Sequence, residues 1–452
     1  MSLISKYNVA APRYTSYPTV PYWDEQNFHA GDWKMLLRQS FRESNSTQGI
    51  SIYIHLPFCE KMCTYCGCNK HITVNHTVEG PYIAALLKEW QMYVAVFGER
   101  PRIREIHLGG GTPTFFSAER LVALLQGIYA HADLLPGASL SFEGHPGNTT
   151  RAHLETLYAL GFRRISLGIQ DFDPKVQEII NRVQPFEEVD AAVKAARETG
   201  FSSINLDLIY GLPLQTTAGM ANTVNQVMQL RPDRISFYSY AHVPWIKGVG
   251  QRKYNEADLP GDDAKRQLYE QGKTCFAAHG YTEIGMDHFA LPDDELHTAA
   301  ATGKLHRNFM GYTVSHTSLL VGLGASSIGD NWYAYVQNEK HTSAWQEQVN
   351  SGNFPVVRGH ILTPEDLLLR RHIHNLMCRF ETSWHKADTQ CDAIVEGLER
   401  LKELEKDGLV TVLPGKVVVT PAGRPFIRNI CMAFDARLWR KLPDSQLFSK
   451  AI

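Results

Sequence analysis

The chain has 452 residues, of which 44% are hydrophobic and 20% charged, and its formal net charge is −2. This length allows two or three globular domains, and the near-neutral charge gives no general electrostatic reason to expect nucleic acid or an anionic membrane as a partner. No apolar run approaches the roughly 18 to 20 residues that span a bilayer, and the first residues lack a signal peptide's apolar segment, so we expect a cytoplasmic protein.

Residues 1–48 are expected to form an N-terminal arm that is apolar and contains several tyrosines. Two interpretations stay open. The arm is either a strap that packs on the next domain or a lid that excludes water from a site.

Residues 49–255 alternate short runs rich in β-branched and aromatic residues with longer helical patterns, which predicts repeated β-α units and a parallel sheet. Between the first two strands, apolar residues from Ile83 to Phe97 recur at helical spacing and predict a helix that covers the sheet. A right-handed series of six units predicts an α/β fold with an incomplete (β/α)6, TIM-like barrel, although pattern alone also allows eight closed units. The six candidate strands are Ser51–Leu56, Glu105–Gly109, Ser139–Glu143, Arg164–Ile169, Ser203–Ile209 and Arg234–Tyr240.

Residues that can bind a ligand or take part in catalysis follow several of these strands. They lie at the carboxyl ends of the strands, where active sites are found in parallel β/α folds. The predicted site therefore lies at the carboxyl ends of the strands. The segments found there are Cys59–Cys68, Gly109–Pro113, Glu143–Pro146, Gln170–Asp171 and Asp207.

Residues 256–355 are expected to extend the barrel on its substrate side, and residues 356–452 to form a mainly helical, winged-helix-like domain. Helical patterns at Pro364–Phe380 and Ala393–Asp407 precede 408–420, which looks like two strands joined by a Pro-Gly turn. Winged helices often bind DNA, but these last residues show no dominant basic stripe.

Four of the eight cysteines lie between residues 59 and 68. Three and then two residues separate Cys59, Cys63 and Cys66, a spacing that lets one loop wrap three thiolates around an iron–sulfur cluster and leave one iron open. Only one residue separates Cys66 from Cys68, and this short gap disfavours Cys68 as a fourth ligand to the same cluster. The alternatives are a tetrahedral zinc site with all four cysteines, although no second Cys-x2-Cys pair exists, or buried inert thiols. The isolated cysteines Cys275, Cys378, Cys391 and Cys431 are expected in the core.

The Cys-x3-Cys-x2-Cys run with Tyr65 before its last cysteine resembles the signature of the radical S-adenosylmethionine superfamily. Within it, the run 53–59 followed by Cys-Gly-Cys-Asn-Lys at 66–70 resembles the oxygen-independent coproporphyrinogen III oxidases. Three further stretches resemble the same family, so the likeness covers essentially the whole chain: Pro12–Thr19, Gly285–Ala290 and Arg428–Asp435.

The resemblance implies that Cys59, Cys63 and Cys66 ligate a [4Fe-4S] cluster and that two molecules of S-adenosylmethionine bind nearby. It assigns Tyr53, His55 and Cys68 to catalysis. The glycine turn after the second strand is expected to offer close backbone approach and free N–H groups to the cofactor, although alone it would be a plain β-α turn. The cofactor-binding residues that the resemblance implies are Tyr53, Tyr65, Gly110, Gly111, Thr112, Glu143, Gln170, Arg182, Asp207, Ala241, Met310 and Ile328.

The implied reaction belongs to haem and porphyrin biosynthesis. A 5′-deoxyadenosyl radical would convert two propionates of coproporphyrinogen III to vinyl groups and give protoporphyrinogen IX. The implied partners are this tetrapyrrole and a low-potential electron donor of the flavodoxin or ferredoxin type, and the chain is expected to be a monomer. Arg13 and Arg307 are candidate cations for the propionates.

Two residues depart from the family pattern. His145 stands where the family commonly has an acidic residue, and Met310 stands where it often has Gln near the second S-adenosylmethionine. These departures leave room for a radical enzyme that transfers methyl groups or forms cyclopropanes. A haem-binding chaperone and a zinc-stabilised winged-helix DNA binder also stay open as functions.

Overall fold

The computed structural model describes residues 3–244, 250–251, 254–443 and 445–451. No helix among them is both long and apolar enough to cross a membrane. The helices are α1 (Leu3–Tyr7), α2 (Ala30–Ser44), α3 (Glu79–Phe97), α4 (Ala118–Tyr129), α5 (Arg151–Ala159), α6 (Pro174–Ile179), α7 (Phe186–Thr199), α8 (Thr217–Leu230), α9 (Asp262–Ala278), α10 (Glu295–Ala301), α11 (Thr342–Asn350), α12 (Pro364–Arg379), α13 (Asp392–Lys406), α14 (Ile427–Met432) and α15 (Ala436–Arg440).

The strands form one large sheet and three small ones. In chain order they are β1 (Ile50–Leu56), β2 (Phe58–Cys59), β3 (His71–Ile72), β4 (Arg102–Gly110), β5 (Asp133–Gly144), β6 (Arg164–Gln170), β7 (Ser203–Tyr210), β8 (Arg234–Ser239), β9 (Thr282–Gly285), β10 (His288–Ala290), β11 (His306–Asn308), β12 (Gly311–Thr313), β13 (Leu320–Leu323), β14 (Ile328–Asp330), β15 (Ala334–Asn338), β16 (Val356–Ile361), β17 (Glu381–Ser383), β18 (Val410–Leu413) and β19 (Lys416–Val419).

The large sheet contains the six predicted strands as neighbours in chain order. β1, β4, β5, β6, β7 and β8 lie side by side, and every pairing between them is parallel. The outermost strands of the sheet, β16 and β9, do not pair with each other in the described part of the chain. The predicted α/β fold with an incomplete barrel is therefore confirmed.

The sheet also continues beyond both ends of the six predicted strands. β13 pairs in parallel with β1 and leads into antiparallel β14, β15 and β16, while β10 and β9 continue in antiparallel fashion from β8. The sequence pattern did not predict these short strands.

The domain boundaries between residues 48 and 49, 255 and 256, and 355 and 356 stay predictions. The sheet itself runs from residue 50 to residue 361.

Helix α3 covers the sheet with the predicted apolar stripe. Ile83, Leu86 and Trp90 are buried, and the helix ends where Gly98 adopts a left-handed conformation with φ +74°. One polar residue of α3 is also fully buried. Glu89 accepts hydrogen bonds from the Gly324 backbone N–H (2.8 Å) and the Asn338 amide (2.6 Å), and burial raises the pKa of its carboxyl to about 8. These bonds fasten the additional strands to α3.

The C-terminal part contains the predicted helices and hairpin. Thr363 caps α12 by accepting from the Asp366 backbone N–H, and Pro364 occupies the first turn, where no N–H is needed. Strands β18 and β19 pair through the predicted turn, and β17 adds to β19. Ile373, Leu401 and other residues of α12 to α14 form a second core under this hairpin.

The N-terminal arm packs against the C-terminal core. Tyr14 and Tyr17 are buried there, and the Tyr14 hydroxyl donates to Asp435 at 2.9 Å. Arg428, itself buried, donates to the carbonyls of Ala11, Pro12, Ser449, Lys450 and Ala451. One guanidinium therefore holds the arm and the C-terminal segment together, and the strap and lid interpretations both stay predictions.

Replacing Arg428 with Met keeps much of the apolar stem but removes the guanidinium donors to those carbonyls. Each buried carbonyl left without a donor costs about 1 kcal/mol or more. We expect a lower thermal midpoint of unfolding and faster proteolytic cleavage within the arm. Arg38→Met is the control, because Arg38 is exposed and bonds a single carbonyl. Equal midpoints and equal cleavage rates for the two variants would show that Arg428 does not hold the arm against the C-terminal segment.

Candidate active site

The loop that carries the cysteines is anchored at both ends and in its middle. Strand β2 follows β1 after one residue and pairs in parallel with β3, so that Cys59 lies opposite Ile72. In the middle of the loop, the Thr64 backbone N–H donates to the Ile180 carbonyl at 3.0 Å, and its hydroxyl donates to the Ile179 carbonyl at 2.9 Å. The loop is therefore fixed against the end of α6.

Cys59, Cys63 and Cys66 all line one cavity of about 430 Å³ at the carboxyl ends of the parallel strands. The Cys59 sulfur lies 3.4 Å from the Thr112 hydroxyl, and burial raises the pKa of its thiol to about 11. Nη1 of Arg182 lies 3.7 Å from the Cys63 sulfur. A guanidinium at this position stabilises thiolates that burial alone would disfavour.

Cys68 lies beside the third predicted ligand. A hydrogen bond from the Cys68 thiol, the largest influence, lowers the pKa of Cys66 to about 6. Nζ of Lys70 donates to the carbonyls of Cys66 and Cys68 at 3.2 and 3.3 Å. Cys66 is thus the more easily ionised of the two thiols, and the roles of Cys66 as a ligand and of Cys68 as a neighbour that is not a ligand stay predictions.

The glycine turn after β4 makes the predicted close approach, but the N–H groups of Gly110, Gly111 and Thr112 are all hydrogen-bonded within the protein. Gly110 has φ +117°, and a Cβ on Gly111 would lie 2.5 Å from the Pro57 carbonyl oxygen. The Gly110 N–H donates to Glu143 at 3.2 Å, and the N–H groups of Gly111 and Thr112 donate to carbonyls of the β1–β2 segment at 2.9 and 3.0 Å. The expectation of free donors was wrong, because the turn uses them to bind its own neighbours.

Two carboxyl groups, Glu143 on β5 and Asp207 on β7, have different electrostatic environments. Burial raises the pKa of Glu143, but donation from His107 (3.3 Å to Oε1) and from the Gly110 N–H outweighs it, so the net shift is downward. Burial and the nearby Glu143 charge raise the pKa of Asp207 to about 6, although the Ser166 hydroxyl donates to it at 2.9 Å. At neutral pH Glu143 is firmly ionised, and Asp207 is the group that is easier to protonate.

A second cavity of about 290 Å³ adjoins the first. The two share Cys68, Gly110 and Glu143 as lining residues, so these three form the wall between them. The second cavity is lined on its other sides by Tyr53, His55, Asn69, His107, Phe309, Met310, Leu320, Ser326, Ser327 and Ile328.

Tyr53 and His55 form a neutral pair in the second cavity. Nε2 of His55 lies 2.9 Å from the Asn69 carbonyl oxygen, and Nδ1 lies 3.0 Å from the Tyr53 hydroxyl. Because a carbonyl only accepts, the ring proton is on Nε2 and the Tyr53 hydroxyl donates to Nδ1. Burial lowers the pKa of His55 and keeps the ring uncharged.

The structure brings the predicted site residues together with one exception. Every residue predicted as a ligand, a catalytic group or a cofactor contact lines one of the two cavities, except Ala241. The Ala241 carbonyl instead accepts from the Gln251 side chain at 3.0 Å, and the same amide group donates to the Tyr65 carbonyl at 3.0 Å. Ala241 is therefore one residue removed from the cavity wall that Tyr65 forms.

The proposed propionate cations have other partners and line neither cavity. Arg13 donates to Asp287 and to the Ser239 carbonyl, both at 3.1 Å, and Arg307 stacks on the Tyr312 ring at 4.5 Å. Lys70 is a cation that does line the first cavity. The roles of Arg13 and Arg307 as propionate cations stay predictions.

His145 lines the first cavity, and its ring has a local structural partner. Nδ1 accepts from the Gly147 backbone N–H at 3.1 Å, and burial, with help from the nearby Arg182 charge, lowers the pKa of the ring to about 3. The ring is neutral, so His145 adds no charge to the site.

Sequence reasoning missed several residues that line the cavities, including Tyr238, Phe309, His107 and Ser166. The signal that could have found the last two is the alternation of side chains along a strand. His107 lies two positions before Gly109, and Ser166 lies two positions before Gly168. Each therefore shares a face of the sheet with a glycine near the end of its predicted strand.

The donor set fits a four-iron cluster with a second group beside it. The described residues contain no His, Cys, Asp or Glu group gathered tightly enough for a single metal ion, whereas a cluster spreads its thiolates over separate irons and accepts wider spacing. Nε of Arg182 is buried in the wall and has no hydrogen-bond partner among the described residues. That donor suits an anionic group such as a carboxylate.

Residues 53–227 match the family model of the radical SAM superfamily. Over 457 aligned residues the chain is 39% identical to the oxygen-independent coproporphyrinogen III oxidase of Escherichia coli K12 and 38% identical to that of Salmonella typhimurium LT2. Each alignment covers 100% of this chain and 98% of the relative. The chain belongs to the oxygen-independent coproporphyrinogen III oxidase family.

A solved member of that family has the same fold. The structure of coproporphyrinogen III oxidase from Escherichia coli, a radical SAM enzyme, matches with a TM-score of 0.88 at 38% identity, over 94% of this chain and 97% of that one. Membership makes this chain a radical SAM oxidoreductase, whose cofactors are a [4Fe-4S] cluster and S-adenosylmethionine. The predicted family, fold class, enzyme class and cofactors are confirmed, and the roles of individual residues stay predictions.

Replacing Cys59, Cys63 or Cys66 with Ala removes one predicted thiolate ligand. We expect each variant, purified and reconstituted without oxygen, to lose most of its bound iron and sulfide, because a cluster held by two thiolates is poorly anchored. Iron and sulfide analysis with the visible absorption spectrum measures this.

Cys68→Ala and Cys275→Ala are the controls, and both should retain the cluster. A Cys68→Ala variant that lost its iron, beside a Cys66→Ala variant that kept it, would reverse the ligand assignment.

Proposed function

We propose that this enzyme carries out the oxygen-independent oxidative decarboxylation of two propionates of coproporphyrinogen III to vinyl groups, giving protoporphyrinogen IX in porphyrin biosynthesis. The observation that carries the proposal is the pair of adjoining cavities at the carboxyl ends of the strands, divided by Glu143 and its neighbours. The likeness to coproporphyrinogen III oxidases over the whole chain supports the same substrate.

When bound, the cluster and S-adenosylmethionine supply one electron and a carbon-centred radical that removes a hydrogen atom from the β-carbon of a propionate. The substrate then loses carbon dioxide and passes one further electron to a one-electron acceptor outside the chain, and its two remaining side-chain carbons form the vinyl group. The protein orients these reactants and keeps water away from them.

We assign the first cavity to the cluster and one S-adenosylmethionine. Cys59, Cys63 and Cys66 would hold three irons, and the unpartnered Nε of Arg182 would donate to the carboxylate of the cofactor. Ionised Glu143 would accept from hydroxyl or ammonium groups at the wall.

We assign the second cavity to the second S-adenosylmethionine, beside the neutral pair of Tyr53 and His55. Met310 lies at the tip of the β11–β12 hairpin and lines this cavity together with Ile328. Its thioether offers contact to an apolar or sulfonium group but no amide donor.

We also propose a location, an oligomeric state and an electron donor for the enzyme. The enzyme would work in the cytoplasm as a monomer and take its electrons from a flavodoxin- or ferredoxin-type donor. The formal charge of −2 is spread over a chain of 452 residues, which supports neither nucleic acid nor a membrane as a partner.

Anaerobic incubation of the reconstituted enzyme with coproporphyrinogen III, S-adenosylmethionine and a low-potential reductant tests the reaction. We expect two vinyl groups, two molecules of carbon dioxide and consumption of S-adenosylmethionine, measured by mass spectrometry. A methylated product with S-adenosylhomocysteine would contradict the decarboxylation and favour methyl transfer. Haem binding without cleavage of the cofactor would favour a chaperone.

Met310→Trp tests the assignment of the second cavity. The larger side chain should fill much of that space, so we expect the variant to bind one S-adenosylmethionine where the wild type binds two, as counted by equilibrium dialysis of the holoenzyme. Met35→Trp is the control, because Met35 is 64% exposed on α2. Two molecules bound to Met310→Trp would place the second one elsewhere.

A further inference from the structure

We propose that His107 is a positioning residue for Glu143, and that a hydrogen-bonded chain across three neighbouring strands fixes the orientation of its ring proton. The inference deepens the proposed function, since it rests on Glu143 contacting S-adenosylmethionine. The chain runs from Arg164 on β6, through Ser141 on β5, to His107 on β4, and ends at Glu143.

Strand register places these side chains side by side. His107 and Ser141 are direct partners in the parallel pairing of β4 with β5, and Ser141 is likewise the partner of Arg164 in the pairing of β5 with β6. Glu143 lies two positions after Ser141 and so points to the same face. The sequence Ser-Phe-Glu on β5 therefore delivers a hydroxyl and a carboxylate to the same histidine.

The distances define the direction of each hydrogen bond. Nη2 of Arg164 lies 3.1 Å from the Ser141 hydroxyl oxygen, and a guanidinium only donates. Ser141 therefore accepts from Arg164 and directs its own proton to Nδ1 of His107, 2.8 Å away. Arg164 is itself held by Glu295 through Nη1 at 3.1 Å.

With Nδ1 accepting, the proton of the neutral ring is on Nε2. This N–H faces Oε1 of Glu143 at 3.3 Å, while the Gly110 N–H donates to Oε2. The opposite tautomer would place a nitrogen lone pair against a carboxylate, which is repulsive. The His107 ring also stacks on Tyr53 with a centroid distance of 6.1 Å, so it has little freedom to turn away.

The Nε2–H of His107 decides the charge state of Glu143. Burial raises the pKa of this carboxyl, and the hydrogen bond from His107 is the largest influence that lowers it. Without His107, burial would be opposed chiefly by the Gly110 N–H, and the pKa of Glu143 would rise. The other titratable groups that face Glu143 are His55, which also lowers its pKa, and the acidic groups Tyr53, Cys68 and Asp207.

The experiment measures the dissociation constant of S-adenosylmethionine for the reconstituted holoenzyme, by isothermal titration calorimetry at about pH 6 and at about pH 8. Each variant is compared with wild type at the same pH, which cancels ionisation of the cofactor itself. His107→Leu should bind about tenfold more weakly than wild type at the lower pH and approach wild type at the higher pH, because Glu143 would have to lose a proton.

Three further variants separate positioning from a general structural effect. His107→Gln keeps an N–H near the position of Nε2 and should bind like wild type at both pH values. Glu143→Gln, which cannot ionise, should bind weakly at both. His131→Leu replaces an exposed histidine that lines neither cavity and is the control. The thermal midpoint of unfolding of each variant shows whether it is folded.

Ser141→Ala tests the chain behind the ring. It should weaken binding modestly in the wild-type background, because the tautomer is no longer fixed, and should add nothing in His107→Leu. Additive effects would show that Ser141 acts independently of His107.

The outcomes distinguish this inference from the proposed function. Wild-type enzyme that makes the vinyl product, with a His107→Leu variant that binds S-adenosylmethionine like wild type at both pH values, would overturn the inference alone. Binding constants that follow the expected pattern, with no vinyl product from wild type, would overturn the proposed substrate and leave the inference standing. A Glu143→Gln variant that binds like wild type would also overturn the inference.

Discussion

The closure of the cysteine loop is the constraint on which the site depends. A short parallel pairing of β2 with β3 brings the two ends of the loop together, and Thr64 fastens its middle to the end of α6. Without these anchors, ordering the loop would cost roughly 1 to 2 kcal/mol for each residue. The fold therefore supplies most of the order before a cluster binds.

The rest of the site is arranged around charges that this loop brings together. Arg182 lies beside the thiol of Cys63, and Glu143 lies on the wall that the two cavities share. The cation is backed by the Gly168 carbonyl at 2.6 Å, and the carboxylate is backed by His107. Opposite charges held in a buried site interact strongly, so each depends on partners that come from neighbouring strands.

Much of the barrel could be predicted because its central strands are apolar runs between helical patterns, as in Ile-Ser-Ile-Tyr-Ile at 50–54. β9, β10 and β13 to β16 were missed because they have three to six residues, several of them glycine or polar, and tertiary pairing rather than local pattern makes them strands. Nearly all of the site residues that the cysteine spacing and the family resemblance predicted line one of the two cavities. The sequence could not predict the hydrogen bonds of the site, because these depend on strand register. Examples are the acceptors of the N–H groups in the glycine turn, the partners of Arg13 and the role of His107.

The central claim is that three cysteines hold the cluster and leave one iron for S-adenosylmethionine. Mössbauer spectra of protein reconstituted with isotopically labelled iron, recorded before and after the addition of S-adenosylmethionine, test it most directly. The account predicts that one of the four iron sites changes its isomer shift while the other three keep theirs, and that Cys68→Ala behaves in the same way. Spectra in which all four sites stay unchanged on addition of the cofactor would contradict it.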